Sequence, residues 1–255
     1  MSFFKNTNHY KSFTINSLDE TTSTNQLTFD LAKSNQINHN HVIITKKQTA
    51  GKGRYGRVWQ SFDGNLYFSI LLKPQNKNLD LISTLSFVSA VAIGIAINDL
   101  KTKSTTKISY KWPNDILING YKTAGILLES DINQNQLNFV VIGIGVNIVD
   151  NPDNTNYPST NLKHENFLEI LPEDLLKKFL DNFSDLYEKW LNFGFKPIRN
   201  LWLENAFNLN KEISINLFNK KIKGLFKDLD ENGNLILELE NKENVIISSG
   251  EIFNH

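Results

Sequence analysis

Seven consecutive residues, Gly51-Lys52-Gly53-Arg54-Tyr55-Gly56-Arg57, hold three glycines and three cations. Glycine loses more backbone freedom on ordering than any other residue, so a fold concentrates it only where positive φ or close approach to a ligand offsets that loss. Lysine and arginine supply countercharge, and the chemistry indicated is closure over a phosphate. Val42-Ile43-Ile44-Thr45 before the segment reads as a strand, and Val58 to Gly64 after it has no helical period. The G-x-G-x-x-G spacing of a dinucleotide site must open a helix and be followed about twenty residues on by an acid closing a second strand, and neither condition holds. A P-loop needs Lys-Ser/Thr after its last glycine, whereas Arg57-Val58 follows Gly56 here. A solvated basic hairpin tip is the plain alternative.

Four other segments carry polar or cationic groups at element ends. Ser23-Thr24-Asn25 stands at a helix start, where capping alone would account for it. Gln48 ends the strand entering the glycine loop. Lys111-Trp112-Pro113-Asn114-Asp115 precedes an Asn119-Gly120 hairpin, with Lys122-Thr123-Ala124-Gly125 on the return strand. Gly143-Ile144-Gly145-Val146-Asn147 ends another strand. Each is weak alone.

Together they resemble the catalytic domain of biotin protein ligases, over essentially the whole chain from Ser23 to the C-terminus. That family's loop reads G-R-G-R-x-G-R, and Lys52 replaces its first arginine. K-W-P-N-D is unchanged at Lys111 to Asp115, and Lys122 occupies the family's K-x-A-G-I-L lysine. Lipoate ligases share the fold without this combination.

The resemblance implies that biotin and MgATP give biotinyl-5′-adenylate and pyrophosphate, after which a lysine of the biotin carboxyl carrier domain of acetyl-CoA carboxylase takes the biotinyl group. ATP and Mg²⁺ are then co-substrate and metal, with no tightly bound prosthetic group. It assigns catalysis to Lys122, Arg54, Arg57 and Asp115. Biotin falls to Ser23, Thr24, Asn25, Gln48, Gly51, Lys52, Gly53, Arg54, Trp112, Lys122 and Gly125. ATP and adenylate fall to Lys52, Arg54, Arg57, Trp59, Lys111, Asn114, Lys122 and Asn147, with Trp59 stacking on the base. Asp115 is either a Mg²⁺ ligand or an orienter of its neighbours. The physical difficulty is a carboxylate attacking an α-phosphate. One preplaced cation at about 4 Å, in an effective dielectric of about 20, contributes on the order of 4 kcal/mol. A lipoate or octanoate ligase on the same fold and a non-catalytic biotin-sensing module are the competing readings. Relatives that are also repressors carry a DNA-binding domain before the ligase domain, and the short stretch before Ser23 leads us to expect no DNA binding. A homodimer paired through sheet edges is left open.

The elements positioning these residues follow from composition and period. The chain has 255 residues, 27 basic against 27 acidic side chains and no cysteine, which excludes a broad nucleic-acid face, disulfides and thiol chemistry. No signal peptide or membrane span is read, so a cytoplasmic protein is expected. The fold class is α+β. The alternating segments over 208–255 read as a small antiparallel barrel or sandwich. The resemblance implies a mixed, mainly antiparallel sheet flanked by helices over 1–207, as in class II synthetase-like biotin ligase catalytic domains, and a small SH3-like β-barrel over 208–255. Strands are predicted near 41–48, 65–73, 107–112, 116–118, 121–129 and 137–148. Helices are predicted near 25–35, 80–101, 167–193 and 197–207. Residues 151–165 read as a mobile polar connection, and the histidines His9, His39, His41, His164 and His255 as surface residues outside the motifs.

Overall fold

The computed structural model describes residues 4–74, 79–100, 105–153, 155, 157–167, 169–217 and 221–253. Eight strands, numbered in chain order, form the larger sheet: β1 (Asn6–Tyr10), β2 (Phe13–Thr21), β3 (His41–Gln48), β4 (Leu66–Leu72), β5 (Ile108–Lys111), β6 (Asp115–Ile118), β7 (Tyr121–Asn133) and β8 (Gln136–Val146). Their order is β1-β2-β3-β4-β8-β7-β6-β5, and of the neighbouring pairs only β2–β3 is parallel. The hairpin β1–β2 was not foreseen. Its outer strand is almost wholly exposed and polar, so it has no alternation to read.

Period-two alternation gives the sheet two different faces. Val140, Ile142, Ile144 and Val146 of β8, with Leu66, Phe68, Ile70 and Leu72 of β4, face the principal core. Helices α2 (Leu79–Ile82), α3 (Leu85–Asn98), α4 (Pro172–Phe193) and α5 (Lys196–Glu204) contribute to that core. Helix α3 is apolar almost all round and buried nearly throughout, as a central helix must be. On α4, Phe179, Phe183, Tyr187 and Trp190 stack in sequence along one stripe. The helix expected over 80–101 is broken at Ser83-Thr84, where Thr84 Oγ1 donates to Leu81 O at 2.5 Å and accepts from Trp190 Nε1 at 2.8 Å. Its predicted last residue, Lys101, lies outside the described residues.

The opposite face begins apolar and then empties. Phe139 and Val141 pack with Leu18, Ile43, Leu71 and Ala32, the last from helix α1 (Thr24–Lys33). The next positions facing that way on β8 are Gly143 and Gly145. Leaving this surface bare of side chains lets Asn25 and Trp59 pack directly on the strand.

From Glu212 a separate antiparallel sheet follows: β9 (Glu212–Asn216), β10 (Lys221–Leu229), β11 (Leu235–Glu238), β12 (Asn244–Ile247) and β13 (Glu251–Phe253), ordered β12-β11-β10-β9-β13. Strand β13 is too short to show alternation and was missed. Arg199 of α5 donates through Nε to Leu229 O at 2.7 Å and pairs with Asp228. Trp112 Nε1 donates to Gly233 O at 3.0 Å. Removing that bond in Trp112→Phe should cost about 1 kcal/mol, a drop of roughly 2–4 °C in Tm for a chain of this size, checked by thermal denaturation.

Candidate active site

A cavity of about 330 Å³ lies on the emptied face, within the usual range for small-molecule sites. Its floor is a row running across the sheet. Register places Tyr67, just outside the cavity, and the lining residues Gly145, Gly125, Asp115 and Lys111 side by side on β4, β8, β7, β6 and β5. Glycine at two successive strands gives a flat centre, and the two charged side chains form its far end.

At the near end the N-terminus of α1 meets the end of β3. Ser23 caps the helix, its Oγ accepting from Gln26 N–H at 3.4 Å, and it lines the cavity as well. Gln48 Oε1 accepts from Thr24 N–H at 2.9 Å and lies 3.1 Å from Thr24 Oγ1. Ser23, Thr24 and Asn25 are each at most 3% exposed. This is a buried polar pocket opening onto an apolar slot.

At the far end, Lys122 Nζ lies 2.6 Å from Asp115 Oδ1, and Lys111 Nζ lies 3.8 Å from Asp115 Oδ2. Lys111 also sits 3.9 Å above the Tyr157 ring. Lys122 reaches this face because β7 carries a bulge. Ile116 pairs with Ala124 but Leu117 pairs with Lys122, so Thr123 is an extra residue and parity reverses between 124 and 122. Without the bulge Lys122 would point with Ala124 into the principal core.

The cationic loop arches over the slot as a small hairpin. Lys52 bridges Val58, Gly53 N–H donates to Arg57 O at 2.7 Å, and the tip bears Tyr55 and Gly56 at φ of 55° and 73°. Lys52 Nζ donates to Gln26 Oε1 at 2.6 Å on α1, while Arg54 Nη1 donates to Asn114 Oδ1 at 3.4 Å. The hairpin thus touches both ends of the cavity. Trp59 descends from it onto the glycine floor, with Lys122 Nζ 5.5 Å from its ring centre. A Cβ added at Gly145 would lie 2.4 Å from Trp59 Cε2, and one at Gly125 would lie 2.8 Å from Cζ3. Gly145→Ala should therefore unseat Trp59 and raise the KM for small-molecule substrates at least tenfold in steady-state kinetics, about 1.4 kcal/mol of binding.

Every residue assigned to the site from sequence lines this cavity except Gly51. Gly51 instead closes the hairpin's neck, where Trp59 N–H donates to its carbonyl at 2.9 Å and an added Cβ would strike Trp59 O at 2.5 Å. Trp112 is among the residues the resemblance assigns to biotin. It borders the cavity but is 2% exposed and committed to Gly233, so its main work is anchoring the second sheet. Asn114 and Asn147 are partly spent on structure, their Nδ2 groups donating to Ile126 O at 2.6 Å and Thr160 O at 3.1 Å.

The supposedly mobile connection supplies what the sequence did not reveal. Its described residues Pro152, Thr155, Tyr157 and Ser159 line the cavity. Lys122 N–H donates to Pro158 O and Thr160 N–H to Lys122 O, both at 2.9 Å, so the segment lies strand-like along the start of β7. Tyr157 Oη donates to Gly120 O at 3.1 Å. A polar segment with two prolines has no period by which to foresee this. Ile252, from the second sheet, also reaches the wall.

His9, His39, His41 and His164 do not line the cavity, and His255 lies outside the described residues. Asp115 is the carboxylate on the wall, and both its oxygens face lysines. Among the described residues no group of three carboxylates or histidines could hold a metal ion. Both Asp115 oxygens face ammonium groups, which would compete with a cation there, so Asp115 offers a divalent ion one carboxylate beside the substrate's phosphates.

Residues 18–147 match the Biotin/lipoate A/B protein ligase family, and residues 209–253 match the Biotin protein ligase C terminal domain. The chain is 34% identical to the biotin–[acetyl-CoA-carboxylase] ligase of Paracoccus denitrificans over 86% of its own length and 92% of that protein. It is 32% identical to the bifunctional ligase/repressor BirA of Bacillus spizizenii, over 87% of this chain and 68% of that one. Among solved structures, the biotin protein ligase from Aquifex aeolicus in complex with biotin and ATP superposes with a TM-score of 0.79 at 26% identity, covering 94% and 97% of the two chains. By sequence, fold and site together, this chain belongs to the biotin/lipoate protein ligase family.

Proposed function

We propose that the chain is an ATP-dependent biotin protein ligase. It joins the biotin carboxylate to the α-phosphorus of MgATP, releasing pyrophosphate, then passes the biotinyl group to a lysine of the biotin carboxyl carrier domain of acetyl-CoA carboxylase. The observation carrying this reading is the order of groups along one cavity: buried polar end, glycine-floored slot, then Lys122 and Lys111 about Asp115. Biotin has that sequence of parts, a ureido head, an apolar tail and a carboxylate. Thr24 and Gln48 fit the head, and the slot that runs from them past Trp59 to Lys122 fits the tail.

Lys122 is assigned to the reacting carboxylate and α-phosphate, where its charge offsets the approach of two anions. Arg54 and Arg57 on the hairpin, with Lys52, face the phosphates and screen the mixed anhydride from water. Asp115 positions Lys122. Asn114, Asn147, Pro152, Thr155, Tyr157 and Ser159 border the remaining space, which takes the nucleoside. In the second step the acceptor amine attacks the acyl carbon, the bond to the phosphate oxygen breaks, AMP departs and the amine's proton passes to solvent. We assign both steps to the larger sheet, residues 1–207, with 208–255 as its docked cap.

Biotin, MgATP and the purified carrier domain provide the test. Pyrophosphate release with biotin and labelling of the carrier support the reading. Equal or better turnover with lipoate would replace it by lipoate ligation, and biotin binding without pyrophosphate release would leave a sensing module.

A further inference from the structure

Beneath the polar end of the cavity runs a buried chain of hydrogen-bonding side chains that reaches residues outside the motifs. Ser69 of β4 is fully buried, and its Oγ lies 2.6 Å from Asn25 Oδ1 and 2.8 Å from Thr24 Oγ1. Asn25 Nδ2 donates to Glu129 Oε2 at 2.8 Å and to Leu127 O at 3.3 Å. Ser69, Gly143 and Leu127 are register neighbours across β4, β8 and β7, the row next to the glycine floor. Gly143 makes room, since a Cβ there would sit 2.0 Å from Asn25 Oδ1.

The proton direction along this chain is fixed from one end. An ionised carboxylate and a backbone carbonyl only accept, so the amide nitrogen of Asn25 must face Glu129 and Leu127. Its oxygen then faces Ser69, which has a single proton and donates it there. Ser69 Oγ is left to accept from the Thr24 hydroxyl at 2.8 Å, a shorter contact than that hydroxyl's 3.1 Å to Gln48 Oε1, which Thr24 N–H already holds. Thr24 therefore turns oxygen lone pairs toward the cavity. Gln48 Oε1 is held by Thr24 N–H, which leaves the Nε2 of this cavity-lining residue, on the side of Gly51, as the donor of the pair. One acceptor beside one donor complements an N–H next to a C=O, the edge of a cyclic urea.

We propose that Ser69 and Glu129, neither of which lines the cavity, are positioning residues that set this donor–acceptor pattern and so select a ureido head group. The inference rests on the biotin ligase reading and specifies how its head-group pocket discriminates. Breaking the chain leaves the Thr24 proton only its longer contact to Gln48 Oε1, so that it is no longer firmly held away from the ligand's own N–H.

The experiment measures biotin dissociation constants by calorimetry, and KM for biotin and for ATP by pyrophosphate release, in wild type, Ser69→Ala, Glu129→Leu and Glu129→Gln. Ser69→Ala and Glu129→Leu are expected to weaken biotin about 5- to 100-fold, the effect of leaving one buried polar group unpaired, with the KM for ATP unchanged. Glu129→Gln keeps an acceptor and restores wild-type affinity. Biotin methylated on a ureido nitrogen is rejected by wild type, and Ser69→Ala narrows that preference. Unchanged biotin affinity in Ser69→Ala and Glu129→Leu overturns the proposal, as does a parallel rise in both KM values with a lowered Tm. Wild type that binds biotin but releases no pyrophosphate overturns the ligase reading alone, because the dissociation constants still read the relay. Wild type that does not bind biotin overturns both.

Discussion

Lys122→Met should reduce biotin-dependent pyrophosphate release by about a thousandfold while leaving the protein folded. Opposed charges about 4 Å apart in an effective dielectric of about 20 interact by roughly 4 kcal/mol, and each 1.36 kcal/mol lost from transition-state stabilisation is about tenfold in rate. The Lys122 side chain is 27% exposed, so the change opens no large hole in the core. Asp115 keeps Lys111 as a neighbour at 3.8 Å, which limits the cost of removing its nearer partner. The measurement is kcat for pyrophosphate release at saturating biotin and ATP, with Tm as control. A variant retaining more than a tenth of wild-type kcat would show that the loop cations suffice and that Lys122 is not the principal charge at the reacting phosphorus.

Asp115→Asn should cost both stability and rate. Asp115 is 13% exposed and Lys111 8%, with the Lys122 ammonium completing a charge triplet of net +1. Neutralising the carboxylate leaves two lysines facing each other across a poorly solvated site. Breaking a fully buried pair costs about 3–5 kcal/mol, and the exposure of Lys122 reduces that here to about 2 kcal/mol. Adenylation should fall about a hundredfold as Lys122 loses its fixed position, an effect of about 2.7 kcal/mol. Transfer from supplied biotinyl-adenylate to the carrier is expected to fall much less and to keep its pH profile, since a carboxylate held between two lysines serves position rather than proton removal. Loss of one limb of that profile in the variant would make Asp115 the base for the acceptor amine.

The hydrogen-bond chain beneath the head-group pocket shows how residues outside any motif take part in a site. Ser69 lies in an apolar strand and Glu129 within the paired length of a long hairpin, and neither has a neighbour in sequence that hints at chemistry. Only cross-strand register sets Ser69 beside Gly143 and Gly143 beside Leu127. The same register turns four scattered segments into one row from Tyr67 to Lys111.

From the chain alone, the strand and helix periods, the Asn119-Gly120 turn and the clustered glycines and cations were readable, because alternation, helical spacing and turn chemistry are local properties. The cavity residues were readable wherever they fell within motifs. Tertiary structure decided the rest. It turned Pro152, Thr155, Tyr157 and Ser159 into a wall, with Ser159 bridged to Lys122, tied the Trp112 indole to Gly233 and drew Gly51 back to the neck of the hairpin. Above all it decided the direction of Lys122. Strict alternation from Gly125 through Ala124 puts residue 122 on the core face, and a bulge at Thr123, visible only in the pairing of β6 with β7, returns it to the cavity. A bulge is set by two strands together, and neither strand's sequence contains it.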